Sequence, residues 1–209
     1  MKRRVGVLIS GRGSNLAALA RAAEAPDYPA EIAVVIANRA DATGLHYAAN
    51  SLVIEHRQFG QNRAAHEAAI DSALRDTGIE IVCLAGYMRL LTPFLVRRWA
   101  GRMLNIHPSL LPAFPGLDTH RRALAAGVKI HGCSVHYVTE TTDEGPIIAQ
   151  AAVPVVPGDN EETLATRVLA EEHRLYPLAL ALAATGRTGR PADVAAALRN
   201  PLPDMQNLA

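Results

Sequence analysis

The segment that decides the fold is Val5–Ala25, VGVLISGRGSNLAALARAAEA. Its apolar start, VGVLIS, breaks at Gly11 and Gly13 and gives way to LAALARAAEA. The first part reads as a strand, the glycines as a turn and the last part as a helix. The same rhythm continues downstream. EIAVVIAN (31–38) is continuous in apolar residues, as a strand buried on both faces should be. A short helix is expected over Thr43–Asn50, then a brief strand around Val53. NRAAHEAAIDSALRDTG (62–78) reads as a long Ala-rich helix ended by Gly78. IEIVCLAG (79–86) reads as a buried strand, TPFLVRRWAG (92–101) as a helix with Pro93 early, and RMLNI (102–106) as a strand. Strands alternating with helices across short links predict an α/β fold with a parallel sheet flanked by helices.

After Gly127 the rhythm changes. KIHGCSVHYVT (129–139) and PIIAQAAVPV (146–155) are strands with no helix between them, so an antiparallel pair is expected at the end of the sheet. DNEETLATRVLAEEHRLYPLALALAATG (159–186) reads as a long helix whose first turn is acidic, as the helix dipole favours. Residues 1–186 are expected to form one domain and 187–209 a peripheral tail.

Bulk properties exclude several function classes. The chain has 209 residues and is 49% hydrophobic, enough to bury a core without disulfides or metal. A net charge of +1 does not mark a nucleic-acid or membrane binder. Of the 21 basic residues only Lys2 and Lys129 are lysines, a bias of composition rather than function. Cys83 and Cys133 lie in apolar strand-like runs and read as buried, reduced thiols. No Cys/His cluster suggests zinc, the first apolar run is too short for a signal segment, and none is long enough to span a bilayer. The expected setting is a reducing cytoplasm, with no metal, no nucleic acid and no membrane partner.

Ligands of such sheets bind beyond the C-terminal strand ends. Three unusual segments fall there: Gly11–Asn15, Gly86–Leu91 and Asn105–Gly116. SGRGSN (10–15) can cradle a phosphate on free N–H groups at a helix start, or be a plain turn with Ser14 as helix cap. The third glycine of a dinucleotide fingerprint is missing. Asn105 and His107 share one strand face, and Pro108 restricts His107 to extended conformations. An amide donor and an imidazole held this way suit acyl transfer, or they serve a strand end and its turn. There is no G-x-S-x-G elbow, so in acyl transfer the nucleophile would be the substrate itself. Such chemistry also needs a carboxylate. Glu140, Asp143 and Glu144 are the candidates, although TDEG (142–145) also suits a solvated turn.

Taken in order, VLISGRGSNLAAL, LAGYMRLLTPFL, NIHPSLLPAFPGLDTH, HGCSVHYVTETTDEGPIIAQ and EEHRLYP resemble the phosphoribosylglycinamide formyltransferases. The resemblance runs from Val5 to about Gly186. It implies the formyltransferase fold, a mostly parallel Rossmann-like sheet with an antiparallel C-terminal strand pair. It also implies transfer of a formyl group from 10-formyltetrahydrofolate to the amine of glycinamide ribonucleotide. By the same resemblance Asn105, His107 and Asp143 are catalytic, and Gly13, Ser14, Asn15 and Glu172 hold the ribonucleotide. Arg63, Met88, Arg89, Leu90, Leu91, Asn105, Glu140, Thr141 and Asp143 hold the folate. The implied mechanism uses Asn105 and protonated His107 to stabilise an oxyanion, while Asp143, through an ordered water, favours the imidazolium. The apolar loop SLLPAFPG (109–116) would cover the folate rings and exclude water, or simply pack into the core. His136, on the strand parity of Ser134, either braces the active-site loop or is a satisfied structural histidine. Monomer and homodimer are both compatible with the sequence. The rivals are a formyltetrahydrofolate hydrolase, whose extra domain would have no room before the first strand, and a non-catalytic folate or nucleotide module. A methionyl-tRNA formyltransferase would need a longer C-terminal part and a basic surface.

Overall fold

The structure is a computed structural model and describes residues 1–187, so the expected tail, 187–209, lies outside the described residues except for Arg187. Among the described residues seven strands make one sheet. They are β1 (Arg3–Ile9), β2 (Ala30–Ala37), β3 (Ser51–Val53), β4 (Ile81–Leu84), β5 (Met103–His107), β6 (Ile130–Tyr137) and β7 (Ile147–Pro154), in the order β3-β2-β1-β4-β5-β6-β7. β1 to β5 pair parallel, and β6 and β7 add antiparallel. The helices are α1 (Ser14–Ala23), α2 (Arg63–Asp76), α3 (Pro93–Arg98), α4 (Thr119–Ala125) and α5 (Glu161–Ala184).

Alternation along β1 divides the core in two. Val5, Val7 and Ile9 pack with Leu16 and Leu19 of α1 and with Leu164, Val168 and Tyr176 of α5. Leu8 points to the other face, among Ile70 and Leu74 of α2 and Leu95 and Trp99 at α3. Leu16 and Leu19 are fully buried. Each contributes roughly 1.5–3 kcal/mol, against about 0.5–1.5 kcal/mol net for a single hydrogen bond. Apolar packing therefore sets where α1 lies. The Tyr176 hydroxyl, in the core, donates to the carbonyls of Leu84 (3.0 Å) and Leu104 (3.2 Å), joining α5 to β4 and β5 near their site-bearing ends.

One local expectation needs correction, and one helix was not expected. Thr43–Asn50 is not an α-helix: a 3-10 turn spans Thr43–Tyr47, and only Gly44 in it is buried. With so little apolar surface to bury, nothing rewards a longer helix. Conversely, α4 has no clear sequence signal. Its seven residues bury only Thr119 and Ala123, too few to show a helical period, and its cap Asp118 adopts a left-handed φ of 56°.

The start of α5 is fastened by Asp159, whose side chain is only 3% exposed. Its carboxylate accepts from Val156 N, Thr163 Oγ1 and both terminal nitrogens of Arg167. Hydrogen bonds led by Arg167 hold its pKa well below the usual carboxylate range. Asp159→Ala is expected to cost about 1.5–3 kcal/mol at pH 7. A depressed folded-state pKa stabilises fully above the unfolded value of about 3.9 and loses that contribution as pH falls. The gap between wild type and variant should therefore narrow in urea melts at pH 3. An equal gap at both pH values would show that packing, not charge, is what Asp159 provides.

Candidate active site

Asn105 and His107 end β5, and the register pairs them across β6 with His136 and Ser134 respectively. The four side chains share one face because each strand alternates. His136 is buried, and burial pushes its pKa down, so the ring is neutral. Its Nδ1 faces the Tyr137 carbonyl at 2.9 Å and must carry the proton, which leaves Nε2 as acceptor. That nitrogen lies 3.2 Å from Asn105 Nδ2. The amide must turn an N–H toward it, and its second N–H is left for a ligand. His136 thus fixes which way Asn105 points.

His107 is buried and held between two oxygens. Its Nε2 donates to the Phe114 carbonyl at 3.0 Å, and its Nδ1 lies 3.4 Å from Asp143 Oδ2. Asp143 reaches this position from the segment between β6 and β7 with a left-handed φ of 59°, which Asp tolerates better than most residues. Gly145 makes the approach possible, because a Cβ there would lie 1.7 Å from the Tyr137 carbonyl oxygen. Asp143 Oδ2 also accepts from Gly116 N at 2.8 Å, and its Oδ1 lies 3.7 Å from His136 Nε2. Of the three carboxylates considered, Asp143 is the one at His107. Glu140 pairs with Arg97 at the surface (2.6 Å), and Glu144 is exposed.

The apolar loop after β5 divides its work. Leu111 is in the core, Phe114 is half-buried and Leu117 is exposed. The loop's backbone, through Phe114 O and Gly116 N, grips the His and the Asp. Residues that sequence reasoning missed anchor it. Ser134 Oγ donates to Ser109 O (2.7 Å) and accepts from Leu111 N (3.0 Å), while Gln150 Nε2 bonds Leu111 O (2.9 Å). Their parity was legible, but the register that sets them under the loop was not.

The glycine turn lies two strands away, at the end of β1. Ser14 is not the cap of α1. Gly13 is, with φ 72° and no side chain to offer, so the first N–H groups of the helix face outward uncapped. A Cβ on Gly13 would lie 2.6 Å from the Gly44 Cα. Gly13 is therefore required by packing and by its conformation as well as by any ligand. Asn15 and Glu172 are both buried and meet through Asn15 Nδ2 and Glu172 Oε2 at 2.7 Å. A cavity of about 460 Å³ opens over this turn, lined by Gly11, Gly13, Asn15, Asn38, Met88 and Arg89 among others.

Between the two groups runs the segment after β4. Met88 N donates to Ser10 Oγ at 2.8 Å, tying that segment to β1. Met88 and Leu90 are 70% and 65% exposed, Arg89 and Leu91 half-buried. Arg63 begins α2 and is exposed, one turn before Glu67, whose carboxylate accepts from Thr92 N (2.7 Å) and from the Thr92 hydroxyl. Thr141 is exposed on the Asp143 segment. The sequence-predicted catalytic and ribonucleotide residues therefore form two buried to half-buried clusters, with the segment of Met88 and Leu90 between them, while Arg63, Glu140 and Thr141 are exposed. Among the described residues no group of three or more His, Cys, Asp or Glu side chains is placed to hold a metal ion, and no helix is long and apolar enough to cross a membrane.

Comparison with known proteins fits this geometry. A family model described as formyl transferase matches residues 3–180. The phosphoribosylglycinamide formyltransferase of Escherichia coli (strain K12) is 44% identical over 184 residues, covering 87% of this chain and 87% of that protein. The trifunctional purine biosynthetic protein adenosine-3 of Bos taurus is 50% identical over 189 residues, 88% of this chain. The chain spans only 19% of the length of that relative. Among solved structures, glycinamide ribonucleotide transformylase 1 from Symbiobacterium toebii superposes with a TM-score of 0.86 at 50% identity, covering 89% of both chains.

Proposed function

The chain belongs to the phosphoribosylglycinamide formyltransferases, and from that premise we propose that it transfers the formyl group of 10-formyltetrahydrofolate to the amine of glycinamide ribonucleotide in de novo purine biosynthesis. One observation carries the reading: an Asn105–His136–Asp143–His107 cluster, its two histidines buried, shares a sheet edge with an uncapped glycine turn. The folate supplies the formyl group. Exposed Met88 and Leu90 suit its flat apolar rings, and Arg63 suits a carboxylate at its far end. We assign Glu140 and Thr141 only a peripheral part, because Glu140 is spent on Arg97.

The residues of this chain do four things. The free N–H groups at α1, with Ser14 and Asn15, bind the phosphate. Glu172 receives the amine end. The free Asn105 N–H meets the oxygen on which charge develops as an amine adds to a formyl carbon, and protonated His107 joins it by exchanging its Nε2 bond to the Phe114 carbonyl for that oxygen. Asp143 keeps the imidazolium oriented for proton donation. Holding both substrates together is worth as much again, since effective molarity reaches ~7–11 kcal/mol. Residues 1–186 serve as the catalytic domain. The two cysteines, both free and buried, suit a cytoplasmic protein, and it acts as a monomer or homodimer on small molecules alone.

The test is to mix the protein with 10-formyltetrahydrofolate, with and without glycinamide ribonucleotide, and follow tetrahydrofolate by absorbance. Release that depends on the ribonucleotide is expected. Release without it would make the protein a hydrolase, and no release with either would make it a binding module.

A further inference from the structure

The segment after β4 hangs on very few polar ties. Among the described residues, no backbone group from Gly86 to Leu91 bonds another main-chain group. Two side chains hold the segment instead. At its near end Ser10 Oγ accepts from Met88 N at 2.8 Å. At its far end the buried Glu67 carboxylate accepts from Thr92 N and the Thr92 hydroxyl. Tyr87 and Leu91 pack against the core on one face of the sheet. Apolar contacts are non-directional, so they keep the segment close without fixing how it is turned. The two side chains supply that orientation, and with it the way Met88 and Leu90 face. Ser10 differs from Glu67 in where it stands. It directly precedes Gly11 of the glycine turn, is only 8% exposed, and lines the same cavity as Gly13, Asn15, Met88 and Arg89. A hydroxyl both accepts and donates. The Ser10 oxygen is engaged by Met88, while among the described residues its proton has no acceptor and is free for an oxygen in that cavity.

We infer that Ser10 is a positioning residue that couples the binding of the two substrates: an anion over the glycine turn accepts a hydrogen bond from its hydroxyl, and the same hydroxyl then holds Met88 and the folate-bearing segment more firmly. The inference rests on the assignment of the turn to the ribonucleotide and of Met88–Leu91 to the folate. A hydroxyl that donates becomes a stronger acceptor, because hydrogen bonds in a chain polarise one another. It also loses its rotational freedom once its oxygen and its proton are both engaged. Both effects act in one direction. Either substrate preorganises the hydroxyl for the other, and by linkage each must raise the affinity of the other by the same factor.

The test uses tetrahydrofolate, which has no formyl group to give, so that with glycinamide ribonucleotide it forms a ternary complex that cannot react. Isothermal titration calorimetry should show tetrahydrofolate binding about three- to tenfold tighter with saturating ribonucleotide than without it, the scale of one hydrogen bond. In Ser10→Ala that ratio should fall to about one. In Ser10→Thr, which keeps the hydroxyl, it should persist. A residue that merely supports the fold would lower the melting temperature, or weaken each ligand alone, and leave the ratio where it was. A ratio of about one in the wild type overturns the inference. So does an unchanged ratio in Ser10→Ala, or a ratio lost in Ser10→Thr as well, which would assign the effect to packing rather than to the hydroxyl. In each of these cases ribonucleotide-dependent release of tetrahydrofolate from the formyl donor would leave formyl transfer itself standing. Failure of the wild type to bind either ligand would remove the functional reading and the inference together.

Discussion

Asp143→Asn is expected to lower kcat by about 10²–10⁴, the range for removing a partner in general acid–base catalysis. The exchange keeps the shape: Asn tolerates the left-handed φ of 59°, and its carbonyl oxygen can still accept from Gly116 N. What disappears is the negative charge 3.4 Å from His107 Nδ1. His107, buried between that position and the Phe114 carbonyl, then loses the carboxylate that would orient and balance it during proton donation. Steady-state kinetics with a thermal melt check the claim. A collapse of kcat with an unchanged melt supports it. Turnover close to wild type would remove Asp143 from the chemistry. Glu144 would then be the next carboxylate to test, since Glu140 is committed to Arg97.

Asn105→Ala is expected to lower kcat by about 10²–10³, the loss measured for one oxyanion donor in other acyl-transfer enzymes, with folate KM changed much less. The structure explains why one amide could matter so much. Its orientation is not free, because His136 accepts one N–H and leaves the other aimed into the site. Preorganised donors avoid reorganisation at the moment of reaction. The variant removes the donor and strands His136 Nε2, so a modest loss of stability should accompany the loss of rate. Near-normal turnover in a folded variant would mean that His107 alone carries the oxygen.

Sequence alone determined what depends on local pattern. The continuous apolar runs of β2 and β4 require burial on both faces, and the alternation with helices requires parallel strands between them. The missing helix between β6 and β7 required the antiparallel addition. N-x-H at a strand end put Asn105 and His107 on one face, since a strand repeats every two residues. Tertiary structure decided what depends on register and on contacts across the chain. Whether Asp143, Glu140 or Glu144 met His107 turned on the backbone conformation at Asp143 and on the close approach of Gly145 to Tyr137. The partnership of His136 with Asn105, and of Ser134 with the loop, needed the β5–β6 register, which a shift of one residue would invert. The Gly13–Gly44 contact and the Asn15–Glu172 bond join segments 31 and 157 positions apart, and no local propensity encodes such meetings. They exist because burying the two apolar faces of the sheet brings α1, the turn after β2 and α5 to the same edge.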